Sequence, residues 1–170
     1  MKQGRYLLFY ILLVIAQILL NNYLNLTQYV VVTLLPAMIM SLPQRLNTPF
    51  ALLIAFGVGF AVDFLSTGML GLTCAALVPV ALIRLPLMHL VFGVEIFERQ
   101  ESVSISRHGI WKIALTLALA LLPYLVIYII ADGAGTRPMW FNLIRLLLST
   151  LIGTAISLLV FEILSSEDSR

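Results

Sequence analysis

Charged side chains are scarce in this sequence. Only 11% of its 170 residues are Asp, Glu, Lys or Arg, whereas 61% are hydrophobic, and the mean hydropathy is +1.06. A soluble domain carries about 25% charged residues, so these charges are too few to cover a water-exposed surface. A disordered chain needs the opposite composition, rich in charge and poor in apolar residues. A lipid bilayer fits instead, because apolar side chains then face lipid while each backbone group pairs inside a helix.

Cysteine and histidine are almost absent, with one Cys and two His in the chain. Cys74 alone forms neither an internal disulfide nor a CxxC metal site, and we interpret it as a small packing residue. His89 and His108 fall between apolar stretches, so neither an HExxH metalloprotease helix nor an intramembrane serine–histidine pair can be assembled. Asp63 is the one carboxylate that we interpret as buried, which excludes an aspartyl dyad and a carboxylate metal site. The sequence therefore predicts no catalytic activity, no cofactor and no metal.

The net charge of the chain is only +2, and no cluster of basic residues is present. Nucleic-acid-binding proteins carry a basic patch or stripe that matches the phosphate backbone. The sequence therefore predicts a protein that does not bind nucleic acid.

Six apolar stretches approach the roughly 20 residues that a helix needs to cross a hydrocarbon core. They are Tyr6–Leu20, Tyr29–Leu42, Phe50–Leu65, Met69–Ile83, Ile113–Ala131 and Met139–Leu164. The predicted fold is an all-α, polytopic membrane helix bundle with about six transmembrane helices, one domain over residues 1–170. No small-residue cleavage site follows the first stretch, which is therefore predicted to be an uncleaved span rather than a signal peptide.

Lysine and arginine residues predict the orientation, since they concentrate in cytoplasmic loops. With six spans and the N-terminus inside, eight basic residues face the cytoplasm and only Arg137 and Arg145 lie on or near the other side. The eight are Lys2, Arg5, Arg45, Arg84, Arg99, Arg107, Lys112 and Arg170. Both termini are therefore predicted to be cytoplasmic.

The longest segment between apolar stretches runs from Arg84 to Lys112. Its apolar residues after Pro86 recur at helical spacing, at Leu87, Leu90, Val91, Val94 and Phe97. This spacing predicts an amphipathic helix on the cytoplasmic membrane surface, which either rests on lipid or docks a cytoplasmic partner. Alternatively, the fourth span continues past Arg84 towards Phe92, and the arginine side chain reaches the interface.

Two charged residues, Asp63 and Arg145, fall inside predicted spans near their outer ends. At ~1.5 Å per residue, Asp63 lies roughly 20 Å above Phe50 at the inner interface, and Arg145 lies roughly 8 Å below Trp140 at the outer interface. In a hydrocarbon core of ~30 Å the two residues therefore have similar depths. Unpaired charges are costly in hydrocarbon. Three interpretations remain open: a direct or water-bridged Asp63–Arg145 pair, an Asp63 that caps the following turn beside an Arg145 that reaches outward, or a ligand or partner site.

Small residues surround Asp63. The third and fourth stretches are separated only by Ser66–Gly68, which predicts a tight helical hairpin. Glycine and alanine permit close helix approach, and Gly59 lies one turn before Asp63 on the same face. The region from Pro49 to Ala76 is therefore predicted to be the tightly packed centre of the bundle.

Two motifs in this region resemble those of the rod shape-determining protein MreD family. The segment Gly59–Gly71 resembles a signature of glycine, a large apolar residue, two spacers and aspartate, then a small-residue turn that includes Gly68 and ends in Leu-Gly. Gly59, Asp63, Leu70 and Gly71 match it. Upstream, Leu42–Asn47, with Pro43 and Arg45, is similar to a Leu-Pro-x-Arg-apolar-Asn turn of some members. The resemblance is specific over Pro36–Ala76 and architectural elsewhere, and the Arg84–Lys112 loop is longer than is usual for the family.

The resemblance implies a non-catalytic scaffold in the bacterial inner membrane that controls cell shape and lateral peptidoglycan synthesis. The implied partners are a membrane-anchored periplasmic scaffold of the MreC type, an actin-like filament protein and the wall glycosyltransferase and transpeptidase enzymes. The alternative is the substrate-binding membrane subunit of a vitamin-uptake transporter, which also has short helices with a small-residue core. Such a site needs convergent polar groups, and the spans offer few. A third candidate, a lipid enzyme, is disfavoured by the missing carboxylates and histidines.

Overall fold

A computed structural model describes residues 2–23, 30–43, 46–93, 109–133 and 138–168 of the chain. Within these ranges the only regular elements are helices, which confirms the all-α prediction. The helices are α1 (Lys2–Tyr23), α2 (Leu35–Met40), α3 (Thr48–Val62), α4 (Leu72–Phe92), α5 (Ile110–Gly133) and α6 (Met139–Asp168). A π-helical turn, Asp63–Thr67, extends α3.

The long helices form a layered bundle in which α4 packs against α3 and α5, and α5 packs against α6. The short helix α2 contacts α1, α4, α5 and α6, and all six of its residues are buried. We call the end of the bundle that carries the Asp63–Gly71 turn the hairpin end. We call the opposite end, which carries Pro43 and the start of α3 at Thr48, the loop end.

Four helices are long and apolar enough to cross a membrane: Thr48–Ser66, Leu72–Phe92, Ile110–Gly133 and Met139–Ile163. They correspond to the third to sixth predicted stretches, and the hairpin predicted at Ser66–Gly68 is confirmed. The apolar helical stretch of α1, Leu8–Tyr23, is shorter than these four helices.

The prediction that Tyr29–Leu42 forms a spanning helix is wrong. Residues 30–34 are non-helical, and α2 has only six residues. Three valines and Thr33 favour extended backbone because their branched side chains are restricted in a helix. Pro36 lies at the first turn of α2, where a missing N–H costs nothing, and Pro43 follows its end. Hydropathy alone does not distinguish such a segment from a helix.

Gln17 of α1 supplies hydrogen bonds to this non-helical segment. Its Oε1 accepts from the backbone N–H of Leu34 at 2.7 Å, and its Nε2 donates to the carbonyl oxygen of Val32 at 3.2 Å. Ser149 Oγ of α6 accepts from the N–H of Val31 at 2.8 Å. Non-helical backbone at membrane depth requires such partners, because lipid offers none.

Helix α4 continues past Arg84 to Phe92 and contains Pro79 and Pro86. The alternative of a longer fourth span is therefore confirmed, and residues 87–92 belong to this helix rather than to a separate surface helix. Residues 94–108, which hold the rest of the predicted amphipathic segment, lie outside the described ranges.

Candidate functional site

The carboxylate of Asp63 caps the N-terminus of α4. Its Oδ2 accepts from the backbone N–H of Gly71 at 2.9 Å, and both carboxylate oxygens lie 3.0 Å from the N–H of Thr73. The N–H of Cys74 approaches Oδ2 at 3.4 Å. Asp63 itself is 0% exposed. A negative charge at a helix N-terminus is stabilised by the unpaired N–H groups and by the helix dipole, so this buried carboxylate closes the α3–α4 hairpin.

The backbone between Asp63 and α4 needs glycine at two positions. Gly68, with φ +66°, donates its N–H to the carbonyl oxygen of Asp63 at 3.0 Å, and Gly71 has φ +98°. Left-handed backbone strains other residues. The turn therefore delivers the N–H groups of Gly71 and Thr73 to the carboxylate.

Gly59 lies where α3 and α4 are in close contact. A Cβ added there would lie 2.8 Å from Cα of Cys74, closer than side chains approach backbone. The predicted site residues Gly59, Asp63, Gly68 and Gly71 thus form one hairpin unit. Leu70, the fifth member, is 61% exposed, so its side chain contributes little to the packing of this chain.

Arg145 pairs with Asp132 rather than Asp63. Its Nη1 donates to Asp132 Oδ2 at 2.7 Å, so the direct Asp63–Arg145 pair among the sequence interpretations is wrong. The interpretation of Asp63 as a cap agrees with the structure, although the cap extends to the start of α4. Arg145 is 9% exposed and does not reach outward. The sequence interpretations do not include Asp132 as the partner of Arg145. Its opposite charge, 13 residues before Arg145 at the end of the preceding apolar stretch, is the sequence signal that indicates this pair.

Two tyrosines of α5 lie near Asp63 and near the Asp132–Arg145 pair. The rings of Tyr124 and Tyr128 stack with centroids 5.8 Å apart. Tyr128 is close enough to Asp132, Arg145 and Asp63 to interact electrostatically with all three. The Tyr124 hydroxyl faces Thr33 and also Thr73, whose Oγ1 nevertheless makes no hydrogen bond in the described part of the chain. The hairpin half of the bundle therefore holds these tyrosines close to Asp63, Asp132 and Arg145.

A further buried charge, Arg84, lies at the loop end. Its Nη2 donates to the carbonyl oxygens of Leu42 and Pro43, the latter at 2.9 Å. Arg84 is 0% exposed, so the prediction that its side chain reaches the interface is wrong. The carbonyls behind α2 need donors, and Arg84 supplies them. The bond to Pro43 anchors one residue of the Leu42–Asn47 motif, whereas Arg45 lies outside the described ranges.

These arrangements hold backbone and close turns. Within the described ranges, no group of three His, Cys, Asp or Glu residues is placed to hold a metal ion. One small cavity, of about 10 Å³, lies at the loop end between residues that include Met40, Met88 and Phe161. That volume is roughly the space of one water molecule.

The comparisons with known proteins identify no relative. No family model, no curated protein and no solved structure matches the chain.

Proposed function

We propose that the chain is a non-catalytic, MreD-like scaffold of the bacterial inner membrane that controls cell shape and lateral wall synthesis by binding other proteins. The observation that carries the proposal is the hairpin unit, in which Asp63 is directed to backbone N–H groups of α4 and Gly59 permits a close helix contact. These residues hold two helices together, which agrees with a protein that acts as a scaffold. An MreC-like periplasmic scaffold is the first proposed partner, and the actin-like filament and wall-synthesis enzymes are further ones.

Leu70 supports partner binding at the hairpin end. It belongs to the resembling motif, yet its side chain is mostly exposed and adds little to the bundle. Neighbouring Phe64, Leu65 and Met69 are exposed as well. An apolar surface at the end of a helical hairpin fits a partner that crosses the membrane beside it.

The proposed topology has six crossings and both termini in the cytoplasm, with the second crossing made by extended backbone and α2. Val31 is bonded to Ser149, and Met40 shares a cavity with Phe161. At ~1.5 Å per residue, Ser149 and Phe161 lie about 18 Å apart along α6. The segment therefore extends along much of the bundle axis, and the loop end becomes cytoplasmic by the distribution of lysine and arginine.

Co-purification with a single-span MreC-type protein from native membranes tests the scaffold. We expect capture of the partner by the unaltered chain, at least tenfold loss with Leu70→Glu, and retention with Met139→Glu. Met139 is the matched control, since it is 85% exposed at the same end and outside the motif. Equal capture by both variants and the parent would contradict a binding surface at Leu70.

A transporter subunit is the competing function, and the same preparation distinguishes it. If the purified chain binds a vitamin-like solute at submicromolar affinity and captures no wall-synthesis partner, the transporter interpretation replaces the scaffold.

A further inference from the structure

Helix α4, one of the four long apolar helices, contains Pro79 and Pro86 in its interior. Proline has no backbone N–H, so the carbonyl four residues earlier loses its helical hydrogen bond. The carbonyls freed in this way are those of Ala75 and Leu82. Among the described residues, no side chain donates to either of them. Membrane helices tolerate such carbonyls where a neighbouring helix, a hydroxyl side chain or water supplies the donor.

Both carbonyls lie on the face of α4 that the bundle leaves uncovered. A helical carbonyl is directed towards the residue four positions later, on the same face of the helix. Leu82 is 56% exposed, and both Ala75 and Pro86 are exposed as well. Arg84, on the opposite face, is fully buried. The carbonyl of Leu82 therefore lies between two exposed residues and opens to the surrounding lipid.

The depth of Leu82 leaves its carbonyl without any donor from the solvent. Counting from Leu72 at ~1.5 Å per residue, Ala75 lies about 4.5 Å and Leu82 about 15 Å into α4. In a hydrocarbon core of ~30 Å, Leu82 is therefore close to the middle. Neither water nor a lipid headgroup reaches that level, and an unpaired backbone group there is unfavourable.

We propose that this face of α4 binds a transmembrane helix of another protein, which donates side-chain hydrogen bonds to the carbonyls of Leu82 and Ala75. The two residues are seven positions apart, which is about two helical turns and ~10.5 Å along one face. The partner helix therefore carries Ser, Thr, Asn or Gln near the middle of its span and again seven residues away. The small side chain of Ala75 permits a close approach of the partner backbone.

A second copy of this chain does not match these acceptors. The hydroxyls of Thr150 and Thr154 on α6 are four residues apart, and each already donates to a carbonyl of α6 itself. A lipid does not match them either, since it offers only hydrocarbon at the level of Leu82. The inference is independent of the scaffold function, because it rests on the two prolines and on the uncovered face of α4.

Binding of model single-span peptides in phosphatidylcholine vesicles tests the proposal. The host peptide is an apolar span of leucine and alanine, and the test peptide carries asparagine at its centre and again seven residues away. Energy transfer is measured between a label on the peptide and a label on the chain at Asn47→Cys, in a Cys74→Ala background. We expect the asparagine peptide to bind roughly tenfold more tightly than the host, because side-chain hydrogen bonds stabilise helix association in lipid.

Proline substitutions identify the acceptors. Pro86→Ala restores the N–H that the Leu82 carbonyl lacks, and we expect it to reduce binding of the asparagine peptide to the level of the host. Pro79→Ala acts in the same way on Ala75, is expected to have a smaller effect, and covers the case in which Pro86→Ala does not fold. Pro123→Ala is the matched control in α5, where proline is half-buried, and is expected to change binding less than twofold.

Three results would overturn the proposal. They are equal binding of the two peptides, full binding of the asparagine peptide by a folded Pro86→Ala protein, and an equal loss of binding with Pro123→Ala. Self-association of the chain that Pro86→Ala abolishes would assign this face of α4 to a second copy, and would overturn the choice of partner.

Discussion

At the scale of single residues, the buried polar side chains of this bundle mostly serve the backbone. Asp63 accepts from N–H groups at the start of α4, Gln17 bonds the non-helical segment, and Arg84 donates to the carbonyls behind α2. Each backbone group would otherwise lie unpaired in an apolar interior. The residue types and their depths were predictable from sequence, since an ionisable residue within a span requires a partner. Their partners were not, because backbone N–H and C=O groups carry no sequence signal.

Substitutions at Gly57 and Gly59 distinguish the effect of close helix packing from the effect of glycine's backbone flexibility. Gly59→Ala introduces a Cβ 2.8 Å from the Cys74 backbone, whereas at Gly57 nothing lies within 4 Å. Overpacking typically costs ~1–3 kcal/mol. We therefore expect Gly59→Ala to lower the melting temperature in detergent by roughly 2–10 °C, and Gly57→Ala to leave it unchanged or raise it slightly. Equal melting temperatures for the two variants would show that the hairpin absorbs the methyl group.

Truncating the charged residues tests which of them are paired. Arg145→Ala and Asp132→Ala each remove one side of this ion pair, so the double variant is expected to lose less stability than the sum of the two. Arg145→Ala combined with Asp63→Ala is expected to be close to additive, because Asp63 is held by α4. Detergent-melting measurements on the five variants provide both cycles. Strong coupling between Asp63 and Arg145 with none between Asp132 and Arg145 would reverse the assignment.

At the scale of elements, the second apolar stretch shows what hydropathy leaves out. Its length and composition matched those of a spanning helix, and it forms an extended run and a six-residue helix. The signals for this were local: the β-branched residues before Leu34, then Pro36 and Pro43. The stabilising contacts are remote, since Gln17 and Ser149 lie 15 and 118 residues from their partners in this segment. Local patterns predict where a helix is interrupted, but not what replaces its hydrogen bonds.

Removing the amide of Gln17 tests the non-helical segment. Gln17→Leu keeps the bulk but strands the Leu34 N–H and the Val32 carbonyl, and each buried unpaired group costs ~1–3 kcal/mol. We expect a clear fall in melting temperature and faster hydrogen exchange at residues 31–34. Ser157→Ala is the control, since its buried hydroxyl has no partner within the described ranges and its loss costs little. Similar stability losses in the two variants would exclude a special role for Gln17.

At the scale of the whole molecule, the two ends of the bundle differ in chemistry. The hairpin end holds the Asp63 cap, the tyrosines and the Asp132–Arg145 pair, and the loop end holds Arg84 and the turn that begins at Pro43. The sequence predicted the hairpin and its glycines, because turn chemistry and small residues are readable locally. These polar groups lie on α5, on α6 and in the turn after α3, so their proximity depends on packing that no single stretch of sequence specifies.

The orientation of these ends can be measured with introduced cysteines in a Cys74→Ala background. Tyr23, Leu70 and Met139 lie exposed at the hairpin end, and Asn47 and Ile110 lie exposed at the loop end. With six crossings and cytoplasmic termini, an impermeant maleimide applied to intact cells labels cysteines at the first three positions, and those at Asn47 and Ile110 only after the membrane is opened. The comparison between Tyr23 and Asn47 is decisive, because only the extended segment and α2 separate these levels. Labelling of both Tyr23 and Asn47 positions from outside would mean that residues 30–42 enter the membrane and return without crossing it. Labelling of the Ile110 position alone would mean that the bundle has the opposite orientation to the one that its lysine and arginine residues predict.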